Sequence, residues 1–141
     1  MKCSYINLEQ ASARKLIIEN SFYQNKADGW TLERYPAIDV NYVARNQISG
    51  ALRSSEKACF LSHKYAIRDN LNAKESVFIL EDDAIFGKST FKILDNFIEL
   101  SDKFQWDVLF TDLIVTDPVA MVNFINLYNQ LSKDDKTKVL N

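Results

Sequence analysis

Three consecutive acids, Glu81-Asp82-Asp83, are the residues whose type and spacing most clearly predict chemistry. They directly follow the apolar run 77–80, and adjacent carboxylates removed from bulk water need a partner or their pKa rises. A divalent cation is such a partner, because Mg²⁺ and Mn²⁺ prefer carboxylate oxygens. If the extended backbone continues through the triplet, Glu81 and Asp83 face one side and can hold one ion against a diphosphate. A solvated acidic turn is the alternative interpretation.

The elements that must position this triplet alternate along the chain. Short apolar runs predict strands over residues 3–8, 31–38, 76–80 and 106–110, and helical periodicity predicts helices over 9–23, 54–71, 89–104 and from 117 onwards. Leu16, Ile17 and Phe22 are expected to form the apolar face of the first helix. This alternation predicts an α/β fold, with a mostly parallel sheet flanked by helices, in one domain over residues 1–141. Ligands of such sheets bind beyond the carboxyl ends of the strands.

Composition excludes several classes of protein. The 141 residues are 47% hydrophobic and carry a net charge of −2, so the chain can build a core and offers no basic field for nucleic acid. The N-terminus turns polar too early for a signal peptide, and no apolar run approaches the ~20 residues that span a bilayer. Cys3 and Cys59 lack metal-binding or disulfide spacing, and we expect Cys59 in the core rather than as a nucleophile. These features predict a cytoplasmic protein.

The acidic triplet also resembles the first strand of a bacterial receiver domain, where adjacent acids bind Mg²⁺. The strand at Trp106–Asp112 would then carry the phosphoacceptor aspartate. The spacing argues against this alternative, because the chain between Asp83 and Trp106 has room for one helix only. A receiver needs a helix, a strand and a second helix in that interval. A receiver also begins with its acidic strand, whereas about 75 residues precede that strand in this chain.

Five blocks in order carry a more extensive resemblance. They are Tyr5-Ile-Asn-Leu-Glu-Gln-Ala-Ser-Ala-Arg14, Arg34-Tyr-Pro-Ala-Ile-Asp39, Ala58-Cys-Phe-Leu-Ser-His63, Val77-Phe-Ile-Leu-Glu-Asp-Asp-Ala84 and Trp106-Asp-Val-Leu-Phe110. Together they cover about residues 3–112 and resemble glycosyltransferase family 25, the lipooligosaccharide glycosyltransferases. Three positions depart from the family pattern: Glu9 replaces an aspartate, and Val40 and Ala58 each replace a glycine.

The resemblance implies a GT-A type, Rossmann-like fold that transfers a sugar, galactose in many members, from a UDP-sugar to a lipooligosaccharide or other surface glycan. It implies Mn²⁺ or Mg²⁺ as cofactor, with Asp83 as direct ligand and Glu81 as ligand through water or as a contact to the donor ribose. The residues it places at the donor are Asn7, Leu8, Arg14, Asp39, Ser62, His63, Glu81 and Asp82. It identifies no general base.

Two interpretations stay open beside this one. His63, the single histidine, fits a packed structural role as well as a donor contact. Family members usually continue well beyond this length to form the acceptor side, so we expect a short or truncated member, and a catalytically incomplete nucleotide-binding remnant is the alternative function. Because the acceptor is lipid-linked, the resemblance also predicts peripheral contact with the inner face of the membrane.

Overall fold

The computed structural model describes residues 1–101 together with residues 108, 111, 119, 122, 123 and 126. The strand predicted over 106–110 and the helix predicted from 117 onwards fall mostly outside these residues. The chain divides into two compact units, Met1–Lys92 and Ile93–Asn141. The sheet, its flanking helices and the site below belong to the first unit. The prediction of one domain over 1–141 stays a prediction.

Three parallel strands form the sheet of the first unit: β1 (Lys2–Asn7), β2 (Thr31–Pro36) and β3 (Val77–Glu81). Their order is β2-β1-β3, with Lys2 opposite both Thr31 and Val77. Because β1 pairs on both edges and is covered on both faces, its residues 3–7 are all buried. The predicted α/β fold with a parallel sheet is confirmed.

Helices connect the strands, as parallel pairing requires. α1 (Ser12–Asn25) joins β1 to β2. In chain order, α2 (Val40–Arg45) and α3 (Ser54–Asp69) follow β2 and precede β3. α4 (Thr90–Ser101) follows β3, within the range predicted for it. Among the helices in the described part of the chain, none is long and apolar enough to cross a bilayer.

The side of α1 that packs inward shares Phe22 with the predicted one but not Leu16 or Ile17. Ile18 and Phe22, one turn apart, are fully buried, whereas Leu16 and Ile17 are 60% and 56% exposed. Phe22 meets the buried rings of Phe86 and Phe91 edge-on, with centroid distances of 5.5 and 5.4 Å. We call the four buried rings of this region the aromatic cluster: Phe22, Trp30, Phe86 and Phe91. Phe22 therefore faces inward against the rings of Phe86 and Phe91, and Ile18, one turn earlier, is buried with it.

α3 packs through small residues at a spacing of four. The buried ones are Ala58, Ser62 and Ala66. Small side chains let the helix approach closely and leave the larger ones outside, so Phe60 is 61% exposed. Cys59 is also exposed, whereas Cys3 is fully buried in β1. The expectation that Cys59 lies in the core is therefore wrong.

Candidate functional site

A cleft opens where β1 and β3 end, at the carboxyl edge of the sheet. The ends of these strands lie side by side, with Ile6 paired to Glu81. The lining comes from four segments that are far apart in sequence: Ile6, Leu8, Gln10 and Arg14; Ala37–Val40; Ser55, Ala58, Cys59 and His63; and Glu81 and Asp82. This is the edge at which parallel α/β sheets bind their ligands.

Six of the predicted site residues line this cleft: Leu8, Arg14, Asp39, His63, Glu81 and Asp82. Three others do not. Asn7 and Ser62 are buried and hold lining residues in place, and Asp83 is exposed in the turn after β3. The fold thus gathers most of the predicted residues at one place.

Only the first residue of the acidic triplet, Glu81, belongs to the strand, and the chain turns directly after it. β3 ends at Glu81, and the Ala84 amide donates to the Glu81 carbonyl at 3.2 Å, which closes a turn over the two aspartates. The strand alternation assumed from the sequence therefore stops at Glu81. Glu81 and Asp82 line the same cleft, while Asp83 lies outside its lining.

Asp82 is a buried carboxylate whose two oxygens both have partners. The Asn7 side-chain amide donates to Oδ2 at 2.6 Å, and Arg14 Nη1 lies 3.2 Å from Oδ1. The Asp82 side chain is 7% exposed and that of Arg14 is 51% exposed. Such pairing is what a buried charge requires. Asp82 therefore holds the Arg14 guanidinium at the wall of the cleft, and about half of the Arg14 side chain stays exposed to solvent.

Arg34 supports this arrangement from β2. Its Nε donates to the Asn7 side-chain oxygen at 3.0 Å, and its Nη2 donates to the Asn7 carbonyl at 3.1 Å. The Asn7 amide is thereby fixed with its nitrogen toward Asp82. Arg34 is not among the site residues predicted from sequence, although it begins one of the family-like blocks. No local pattern indicates this role, because the partner Asn7 lies on the neighbouring strand β1, 27 positions away in sequence.

Ser62 and Asp39 shape the opposite wall. The Ser62 hydroxyl accepts from the Ile38 amide and donates to the Ala58 carbonyl, both at 2.8 Å. It thus ties the loop after β2 to α3. Asp39 lines the cleft and also caps α2, because its Oδ1 accepts from the Tyr42 amide at 2.7 Å.

Glu81 meets two side chains from α3. His63 Nε2 lies 3.1 Å from Glu81 Oε1, and the Cys59 thiol donates to the same oxygen at 3.6 Å. Partial burial of the sulfur and the neighbouring carboxylate raise the pKa of the Cys59 thiol above its usual value. His63 is therefore neither a packed core residue nor free, since its side chain is 36% exposed and bonded at the cleft.

The charges of the cleft are unbalanced. Its lining contains one arginine against three carboxylates, those of Asp39, Glu81 and Asp82. Arg14 already neutralises Asp82 in part. An anionic ligand would therefore need an added cation beside the remaining carboxylates.

Comparisons with known proteins agree with these observations. Residues 1–139 match the protein family described as Glycosyltransferase family 25 (LPS biosynthesis protein). The comparison with curated proteins found no match, and neither did the comparison with solved structures. The family match covers all five sequence blocks and gives the receiver alternative no support. The chain therefore belongs to glycosyltransferase family 25, and it is a glycosyltransferase of lipopolysaccharide biosynthesis.

Proposed function

We propose that the cleft binds a nucleotide-sugar donor, with a UDP-sugar as the first candidate and galactose as the first sugar to test. The observation that carries this proposal is the convergence of four family-like blocks on the carboxyl edge of a parallel sheet. That edge is where α/β folds bind nucleotides. The sugar would pass to a lipooligosaccharide or other surface glycan acceptor.

A divalent cation, Mn²⁺ or Mg²⁺, belongs to this proposal. The donor's diphosphate is anionic and the cleft lining is acidic, so the two repel without an intervening cation. Glu81, which is 54% exposed at the cleft, and the exposed Asp83 offer the hard carboxylate oxygens that such ions prefer. When bound, the ion would supply charge stabilisation for the departing diphosphate.

The chain's own residues would bind and orient the donor. Arg14 carries a guanidinium at the cleft wall, where it can donate two parallel hydrogen bonds to a phosphate. Asp82 holds that guanidinium in place, and Asn7 and Arg34 hold Asp82. Asp82 is thus a positioning residue, because both of its oxygens already bond within the protein.

Calorimetric titration of the purified chain with UDP, with and without Mn²⁺, tests the proposal. We expect Mn²⁺ to strengthen UDP binding, and Asp83→Ala and Glu81→Gln to weaken the Mn²⁺-dependent part at least about tenfold, since even partners of metal ligands contribute 10–100-fold. Asp28→Ala is the matched control, because Asp28 is an exposed acid just before β2, away from the carboxyl edge. The absence of UDP binding in both conditions would refute the donor site.

A second assay separates an enzyme from a nucleotide-binding remnant. Release of UDP from UDP-galactose, with and without a glycan acceptor, measures hydrolysis and transfer directly. We expect release that depends on the cation. UDP binding without any release of sugar would identify the remnant. The cytoplasmic location and the membrane contact through a lipid-linked acceptor stay predictions.

A further inference from the structure

We propose that Cys59, His63 and Glu81 form a binding site for a thiophilic divalent ion of the Zn²⁺ class. Each side chain offers one ligand atom, a sulfur from Cys59, a ring nitrogen from His63 and a carboxylate oxygen from Glu81, and these three atoms all lie within 4.8 Å of one another. Thiolate sulfur, imidazole nitrogen and carboxylate oxygen are the three kinds of ligand atom that Zn²⁺ binds in proteins. The proposal stands on these three side chains and does not depend on the proposed sugar transfer.

The local fold brings the ligands together for a physical reason. Cys59 and His63 are four residues apart on α3, so they project from one face of the helix about one turn apart. Glu81 is the last residue of β3, and α3 packs against that strand and β1. Two ligands thus come from a rigid helix and the third from a strand end.

The observed distances fit a tetrahedral ion. With Zn–S of about 2.3 Å and Zn–O and Zn–N of about 2.0–2.2 Å, tetrahedral angles separate sulfur from oxygen by about 3.5 Å and nitrogen from oxygen by roughly 3.4 Å. The corresponding distances here are 3.6 Å for Cys59–Glu81 and 3.1 Å for His63–Glu81. Two of the three distances between the protein ligand atoms are therefore already close to the required lengths.

The fourth position would face the cleft. All three side chains belong to the cleft lining, and His63 and Glu81 are 36% and 54% exposed. A site with three protein ligands and one open position is the arrangement in which zinc keeps a water or a ligand. Binding would replace the Cys59 S–H bond with a sulfur–metal bond, and the thiol proton would pass to solvent.

Titration of the reduced, metal-free chain with Co²⁺ and then Zn²⁺, without nucleotide, tests this site. We expect Co²⁺ to produce a thiolate-to-metal absorption band that Zn²⁺ abolishes, with release of about one proton per ion. Cys59→Ser should remove the band, and His63→Gln should weaken binding at least about tenfold. Both side chains are at the surface, so circular dichroism should report unchanged folding.

Asp39→Asn is the matched control. It changes a carboxylate of the same cleft that lies outside the Cys59–His63–Glu81 cluster, and asparagine can still cap α2. We expect its Zn²⁺ affinity to equal that of the unmodified chain. Absence of a thiolate band in the unmodified chain, or its persistence in Cys59→Ser, would overturn the proposal. Because no nucleotide is present, these outcomes are independent of whether UDP binds.

Discussion

Replacement of Asp82 with asparagine isolates the effect of one buried charge at the cleft. The new side chain has nearly the same shape, and its oxygen can still accept from the Asn7 amide. Its NH₂ group, however, then points at the Arg14 guanidinium, which is also a donor, so the Arg14 contact of 3.2 Å is lost. The substitution therefore changes charge and hydrogen bonding with little change in volume.

The expected cost follows from these two contacts. A hydrogen bond to a charged partner contributes roughly 1.5–3 kcal/mol and a neutral one roughly 0.5–1.5 kcal/mol, so the Asn7 bond loses about 1–2 kcal/mol. Loss of the ion pair with Arg14 adds about 0–1 kcal/mol to this cost, because half of the Arg14 side chain is exposed and solvent screens the attraction between the two charges. Together, Asp82→Asn should lower the free energy of unfolding by about 1–3 kcal/mol.

Urea unfolding followed by circular dichroism measures this loss. At a slope of roughly 1–3 kcal/mol per molar urea, the unfolding midpoint should fall by about 1 M with the slope unchanged. Asp83→Asn is the matched control, since the same change at the exposed neighbour should cost no more than about 0.5 kcal/mol. Equal midpoint shifts for the two variants would refute the assignment of Asp82 as the inward-facing acid.

Two further predictions concern the thiols and the aromatic cluster. At pH 8 iodoacetamide should modify Cys59 alone in the folded chain, because burial raises the pKa of Cys3 to about 12. Glu81→Gln should speed the modification of Cys59, because it removes a negative charge that helps to raise the pKa of that thiol. Mass spectrometry measures the rate, and an unchanged or slower rate in Glu81→Gln would contradict this prediction. Phe22→Ala should cost about 3–5 kcal/mol in thermal or urea unfolding, whereas Tyr23→Ala, at 63% exposed, should cost far less, and similar losses would contradict the packing described for α1.

The order of β1, α1, β2, α3, β3 and α4 could be predicted from sequence, because hydrophobic period and run length are local properties, whereas the short helix α2 was not predicted. β1 illustrates this, since the short apolar run predicted a strand over residues 3–8 and the observed strand spans Lys2–Asn7. The inward side of α1 could not be predicted, because Leu16, Ile17 and Ile18 are adjacent and their pattern leaves the helix phase open. The aromatic cluster fixes that phase through residues more than sixty positions away.

The site shows the same division between local and distant causes. The acidic triplet was visible from sequence, but which acid turns inward depends on where β3 ends, and that is set by pairing with β1. The role of Arg34 depends on hydrogen bonds to Asn7 across 27 positions, and no local pattern indicates them. Cys59 was misplaced because α3 packs through its small residues rather than its large ones.

Chemical-shift mapping with UDP and Mg²⁺ tests the central claim, donor binding at the carboxyl edge of the sheet, most directly. In two-dimensional amide spectra of the labelled chain, the largest changes should fall on the cleft-lining residues 37–40 and on Glu81 and Asp82. The opposite, amino-terminal side of the sheet, represented by the exposed Asp28 just before β2, serves as the internal reference and should show none. Changes concentrated on that side, or no changes at saturating UDP, would contradict the account.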